Sequence, residues 1–257
     1  MASKTLSENI NQAISDFGSI KQAIIDKGVE VPSGTPTSQY GTKIGEIQSG
    51  GSSDEDFISV IERTATNPTL PSGLTKIGDY AFYKYTNLVK PTLPNSVTTI
   101  GQYAFYYCTN LALTSLPSGL TEIGTNAFYY CTNLALTSLP SSVTSIGEYA
   151  FNGCTNLALT SLPSGLTTIG YAAFSSCTNL ALTSLPNSLT SIGNSAFISC
   201  TGLTEITFKG KPNSISAYAF SGCTNLTTIR VPWSEGEVAK SPWGASSASI
   251  IYNYTET

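Results

Sequence analysis

From about Leu70 to Pro232 the apolar residues of this chain come round every 23 positions. The unit that starts at Leu116 shows the pattern. Leu116, Leu120, Ile123, Ala127, Phe128, Cys131 and Leu134 are apolar, Leu113 joins them from the stretch before, and Ser, Thr, Asn and Gly fill most of the gaps. An Ala-Phe pair sets the register. Its phenylalanines are Phe82, Phe105, Phe128, Phe151, Phe174, Phe197 and Phe220. The six cysteines, Cys108, Cys131, Cys154, Cys177, Cys200 and Cys223, each follow a marker by three residues, and Tyr85 takes that place in the first copy. One unit holds too few apolar side chains to close a core. Stacked units can close one, because each apolar position then lies over its equivalent. A fixed period without insertions therefore predicts a solenoid of seven 23-residue coils.

Within a coil, Thr-Glu-Ile at 121–123 and Leu-Ala-Leu-Thr-Ser at 134–138 suit short extended segments, which stacking turns into narrow parallel sheets along the solenoid. Pro117 ends an extended run because it has no N–H for a ladder. Gly124 makes the corner after Ile123. Asn126-Ala-Phe-Tyr-Tyr-Cys reads as a helical or 3-10 turn with Ala127, Phe128 and Cys131 facing in. Identical polar residues also stack. Asn87, Asn110, Asn133, Asn156, Asn179 and Asn225 form one column, interrupted at Gly202, and their amides can bond backbone groups that no sheet reaches. Thr75, Thr98, Thr121, Thr144, Thr167 and Thr190 form another on an outward strand face. Both columns read as structural.

The series Leu-Pro-x-x-Leu/Val-Thr-x-Ile-Gly-x-x-Ala-Phe-x-x-Cys-x-x-Leu resembles the leucine-rich repeats of the BspA-like, bacterial surface-antigen type over about 70–232. The resemblance implies a leucine-rich-repeat solenoid. One departure stands out. The family continues Leu-x-x-Ile-x-Ile-Pro, as Leu226-Thr-Thr-Ile-Arg-Val-Pro232 does, whereas the middle copies read Leu-Ala-Leu-Thr-Ser-Leu-Pro. That places Thr114, Thr137, Thr160 and Thr183 where an inward aliphatic is expected and predicts an irregular strand in the middle coils.

The flanks carry other patterns. Residues 1–48 form a helical region. Thr5 and Glu8 have capping-box spacing. Ile10, Phe17 and Ile24 recur every seven residues, with Leu6, Ala13 and Ile20 between them. This seam predicts oligomerisation, and isoleucine on both seam positions leans toward a trimer. Two short helices packed within one protomer, divided at Gly18, is the alternative, and both stay open. Ser38 opens a short helix bearing Tyr40, Ile44 and Ile47. The stretch from Ile20 to Ile47 resembles a small module of bacteriophage and prophage structural proteins. Residues 49–53 are a Gly/Ser linker, and 54–69, with Phe57, Val60 and Ile61, read as an N-terminal cap. The solenoid proper is 70–232. Residues 233–257 form a C-terminal cap with Trp233 and Trp243 as packing residues and a closing strand around Ile250, Ile251, Tyr252 and Tyr254. This ending also resembles the tails of repeat proteins from phages and prophages of gut bacteria.

Charge narrows the function. The net charge of −4 gives no basic footprint for nucleic acid or anionic lipid. Between Pro91 and Thr204 the only ionisable carboxylates are Glu122 and Glu148, and Lys and Arg are absent. The cysteines occupy core positions and point the same way, which suits disulfide geometry poorly. With no Cys-x-x-Cys and no histidine, no metal site and no cofactor is expected. No run of about 18 apolar residues predicts a membrane span, and Met1 to Ile10 lacks the apolar core of a signal peptide. No catalytic set is expected either. The commonest general base is missing, carboxylates are not paired in the repeats, and no Gly-rich phosphate loop precedes a helix.

The copies differ most beside the marker. The two residues after Phe are Tyr83-Lys84, Tyr106-Tyr107, Tyr129-Tyr130, Asn152-Gly153, Ser175-Ser176, Ile198-Ser199 and Ser221-Gly222. Two before it stand Tyr80, Tyr103, Asn126, Tyr149, Ala172, Ser195 and Tyr218. Aromatics thus gather on the first three coils. Tyr80, Tyr83, Tyr103, Tyr106, Tyr107, Tyr129 and Tyr130 are candidate ligand-binding residues for carbohydrate or a protein partner. The alternative is that they pack along the solenoid edge or against the N-terminal region. With the phage-like flanks, these features lead to an expectation of a non-enzymatic bacteriophage virion protein, a head or tail fibre or decoration protein. It would be made in the host cytoplasm and held to capsid or tail proteins through residues 1–48. Its solenoid would adhere weakly to host surface carbohydrate or protein. A secreted or cell-surface bacterial adhesin and a non-binding spacer are the competing expectations.

Overall fold

The computed structural model describes residues 64–70 and 72–255. The heptad seam of Leu6, Ile10, Ala13, Phe17, Ile20 and Ile24, the linker and most of the predicted N-terminal cap lie outside the described residues. The described chain is a parallel β-solenoid of about eight turns. Each Thr-x-Ile step makes a two-residue strand: β1 (Lys76–Ile77), β2 (Thr99–Ile100), β3 (Glu122–Ile123), β4 (Ser145–Ile146), β5 (Thr168–Ile169), β7 (Ser191–Ile192) and, with Asn for Thr, β9 (Ser214–Ile215). They form one seven-stranded sheet in the order β1-β2-β3-β4-β5-β7-β9. Every pair is parallel with isoleucine over isoleucine, such as Ile100 over Ile123 and Ile123 over Ile146. The isoleucines are buried. The threonine before each of β1 to β5 and β7 is exposed, and from Thr98 to Thr190 its hydroxyl donates to the threonine carbonyl one coil earlier, as Thr121 does to Thr98 at 3.0 Å and Thr167 to Thr144 at 3.0 Å.

A second sheet occupies only the C-terminal end, in the order β11-β10-β8-β6: β6 (Ser184–Leu185), β8 (Glu205–Phe208), β10 (Thr228–Arg230) and β11 (Ser249–Ile251). In β10 and the residue that follows, Ile229 and Val231 point in with Arg230 between them, which is the alternation a strand needs. The middle coils break that alternation. Leu134, Leu136 and Leu139 are buried, so the two residues between Leu136 and Leu139 both face out. This corrects the inward placement expected from the family pattern. Thr114, Thr137, Thr160 and Thr183 are all exposed, and the inward aliphatic is supplied one residue earlier by Leu113, Leu136, Leu159 and Leu182.

The turn is also corrected. Among the described residues there is no helix, and Asn126–Cys131 is a run of tight turns rather than a helical or 3-10 turn. Asn126 (φ 56°) and Tyr130 (φ 55°) lie in the left-handed region, which interrupts any right-handed helix. The backbone amides alternate in their use. Those of Ala127, Tyr129 and Cys131 donate three residues back, to Gly124, Asn126 and Phe128. Those of Asn126, Phe128 and Tyr130 donate to Glu148, Ala150 and Asn152 of the next coil at 2.7–2.8 Å. The turn thereby locks coil to coil as a sheet would.

The seven marker phenylalanines form one buried column, with ring centroids 5.1–5.4 Å apart and planes within 8° of parallel. All six cysteines are free and buried. Each thiol donates to the carbonyl of the marker phenylalanine one coil earlier, as Cys131 does to Phe105 at 3.0 Å and Cys154 to Phe128 at 3.0 Å. The cysteine is therefore a donor as well as a filler. The corner glycines are needed for close approach: a Cβ on Gly147 would stand 2.7 Å from Gly124 C and from Thr125 N. At the C-terminal end Trp233 and Trp243 are buried beside Phe208, at 5.3 and 5.9 Å between centroids. Strand β11 follows them, and Tyr252 and Tyr254 lie just beyond it.

Candidate functional site

The tight turns carry the tyrosines. In the first six coils the residues two before and two after the marker phenylalanine have positive φ: Tyr103 (55°) and Tyr107 (56°) around Phe105, Asn126 and Tyr130 around Phe128. Through the first five coils the amides at these two places reach to the next coil, so successive side chains here stack at the spacing of the coils. Tyr83 lies 4.9 Å from Tyr106, and Tyr106 lies 4.9 Å from Tyr129, each pair within 10° of parallel. Tyr80 stacks on Tyr103 at 4.8 Å, and Tyr107 on Tyr130 at 5.1 Å. The columns touch sideways through tilted contacts, Tyr103 with Tyr106 at 5.3 Å, Tyr106 with Tyr107 at 4.9 Å and Tyr129 with Tyr130 at 4.9 Å. All seven tyrosines singled out from the sequence therefore join in one aromatic patch on the first three coils. They pack on one another along the solenoid edge, and Tyr130 is 39% exposed.

The patch ends at identifiable residues. At the N-terminal side the Lys84 ammonium stands 5.3 Å from the Tyr83 ring centroid. At the other side the Tyr130 ring lies against Gly153, where a Cβ would come within 2.9 Å of it. A tyrosine at 153 has no room beside Tyr130 in this arrangement. Two tyrosines outside the expected set extend the patch. Tyr149 meets Tyr129 edge-on at 6.3 Å and Tyr171 at 5.0 Å. Tyr171 sits three residues before its marker, one place off the column of Tyr103 and Tyr149, so the repeat register does not single it out.

Three phenols, Tyr106, Tyr129 and Tyr149, hold their protons more tightly than a free tyrosine does. Burial, then the neighbouring phenols Tyr83, Tyr129, Tyr107 and Tyr103, push Tyr106 up to about 12. Burial, then Tyr130 and Tyr107, push Tyr129 up as well. Burial, then a hydrogen bond with Tyr171, does the same to Tyr149. Each hydroxyl thus keeps its proton and remains donor and acceptor. The strip offers hydrogen bonding and apolar contact, and no acid, base or nucleophile.

The sequence comparison fits this geometry. A family model described as the BspA type leucine rich repeat region matches residues 62–180 and 122–242, in six copies. The chain belongs to the BspA type leucine-rich-repeat family. Among solved structures, these BspA-type coils are similar to the leucine-rich repeat protein of T. pallidum, at 36% identity over 63% of this chain and 78% of that one, with a TM-score of 0.57. A leucine-rich repeat protein from Bacteroides ovatus matches at 24% identity over 74% of this chain and 61% of its own, with a TM-score of 0.46. A leucine rich cell surface protein from Faecalibacterium prausnitzii matches at 25% identity over 78% and 66%, with a TM-score of 0.36. No curated protein matches the chain.

Proposed function

We propose that this chain is a display protein without catalytic function, a bacteriophage head or tail fibre or decoration protein. Its N-terminal region holds it to capsid or tail proteins, and its solenoid adheres weakly to host-surface glycans or proteins. The adhesive half rests on one observation, the patch of seven tyrosines in stacked columns, five of which (Tyr103, Tyr106, Tyr107, Tyr129 and Tyr130) stand on the stretch from Pro91 to Thr204 that has no Lys or Arg. Such residues supply contact area at low entropic cost, because a stacked ring has little freedom left to lose on binding. The virion half is supported by the resemblance of Ile20–Ile47 to a module of phage structural proteins. A second reading, a bacterial surface adhesin, is favoured by membership of the BspA type repeat family itself.

One fractionation separates the two. Mass spectrometry of purified phage particles and of washed cell walls is expected to find the chain in the particles. A wall-associated pool with none on particles overturns the virion assignment in favour of the adhesin. Adhesion is tested separately with the purified full chain, which is expected to bind intact host cells. Failure to bind any cell type leaves the spacer reading in its place.

A further inference from the structure

We propose that the tyrosine strip is a track for a neutral, hydroxyl-rich polysaccharide lying lengthwise along the solenoid, contacted by ring edges and phenol hydroxyls rather than by ring faces. The proposal rests on the adhesive reading above and names its ligand class.

The ring faces are already in use. Tyr106 has Tyr83 on one face and Tyr129 on the other, both at 4.9 Å. Tyr130 has Tyr107 on one side and Gly153 against its ring. A ligand reaching the middle of the strip therefore meets edges and hydroxyls, which suits hydrogen-bonding chains and not flat apolar ligands. The step of the track decides between chains. Equivalent phenols recur every 4.9 Å along three coils. An extended peptide advances about 3.3 Å per residue and about 6.6 Å between side chains on one face, so neither of its periods matches. A linear glycan advances by one sugar ring per step, which is close to the coil spacing. Charge decides between glycans. From Pro91 to Thr204, which carries Tyr103 to Tyr130, there is no Lys or Arg to meet uronate, sialate or phosphate groups, and the carboxylates there are Glu122 and Glu148; Lys84 stands at the N-terminal end of the strip, 5.3 Å from the Tyr83 ring centroid.

Folding alone does not explain the tyrosines. Tyr103, Tyr107 and Tyr130 lie at φ 55–56°, in the left-handed region that disfavours a bulky side chain. Glycine fills the position of Tyr107 and Tyr130 in two other coils, as Gly153 (φ 72°) and Gly222 (φ 69°). The backbone of this turn therefore does not require tyrosine at these positions.

The test uses the full chain and neutral gluco- and manno-oligosaccharides of increasing length, with calorimetry at low and high salt. Affinity is expected to rise about tenfold between the disaccharides and the tetrasaccharides, and to be unchanged by salt. Joint Tyr107→Gly and Tyr130→Gly substitution is expected to weaken binding at least about tenfold with an unchanged melting temperature. Joint Tyr106→Phe and Tyr129→Phe substitution keeps the stack, removes two hydroxyls and is expected to weaken binding similarly. Four results overturn the proposal: binding independent of chain length, preference for an acidic polysaccharide, preference for a peptide, or full affinity in the phenylalanine variant. A chain that adheres to cells yet binds none of these sugars keeps the adhesive reading and rejects this one.

Discussion

Gly147 and Gly165 carry the same side chain in opposite surroundings. A Cβ on Gly147 would press into the backbone of the preceding coil at 2.7 Å, whereas one on Gly165 meets nothing within 4 Å. Backbone cannot swing aside as a flexible side chain can. Gly147→Ala is therefore expected to cost about 1–3 kcal/mol or more in denaturant unfolding. Gly165→Ala is expected to be neutral or to stabilise by about 0.4–1 kcal/mol. Equal effects would contradict the close approach of the coils. The thiols give a second prediction at this scale. Burial raises Cys131, Cys154, Cys177 and Cys200 well above their ordinary value, and Cys223 to about 11. The unfolded chain releases these protons from about pH 9 and the folded chain does not. Stability from these groups is thus complete below pH 9 and falls as pH rises through that value, by about 1.4 kcal/mol per thiol and pH unit while the folded thiol stays protonated. Thermal unfolding at pH 7 and pH 10 checks it, and an unchanged midpoint would contradict it. The sequence showed the cysteines as core residues through their spacing. It did not show their hydrogen bonds, because the accepting carbonyl belongs to a residue 26 positions earlier.

At the scale of elements, alternation decided what was legible. Thr-x-Ile has one inward residue at a fixed place in each copy, so the seven-stranded sheet and its register follow from the repeat length. Leu-Ala-Leu-Thr-Ser-Leu departs from alternation, and the departure was visible as a threonine in the wrong column. Which residue would turn outward was not visible, since either leucine or threonine could keep the step. The turn was misread for a related reason. Ala127, Phe128 and Cys131 have helical spacing, but spacing reports which residues face in and not the sign of φ. The left-handed residues beside the marker are mostly tyrosine, asparagine, lysine, alanine and serine, and the glycine signal of positive φ is carried in two coils alone, at Gly153 and Gly222. The sheets predict a graded protection. Amides of Thr207 and Lys209, which donate to Thr183 and Leu185 at 2.9 Å, are expected to exchange more slowly than those of Thr137 and Ser138 in a middle coil. Native-state hydrogen exchange measures this directly. Faster exchange in β8 than in the middle coil would contradict the placement of the second sheet.

At the scale of the molecule, the core and the surface follow different rules. The phenylalanine column runs unbroken through seven coils, so any coil serves the core as well as another. The stacked tyrosine columns are confined to the first three, with the Tyr107–Tyr130 column ending at Gly153, and only the edge-on contacts of Tyr149 and Tyr171 reach beyond them. Coils should then be interchangeable for folding and not for adhesion. Two deletions of one full period separate these roles: Leu116–Ser138 removes Tyr129 and Tyr130, and Leu162–Ser184 removes a coil whose one tyrosine is Tyr171. Both join Ser to Leu-Pro and keep the register. The decisive measurement is binding of each shortened chain to host cells alongside its unfolding transition. Both chains are expected to unfold cooperatively at similar midpoints, with adhesion lost only when Leu116–Ser138 is removed. Equal adhesion in the two, or failure of either to fold, would contradict the account.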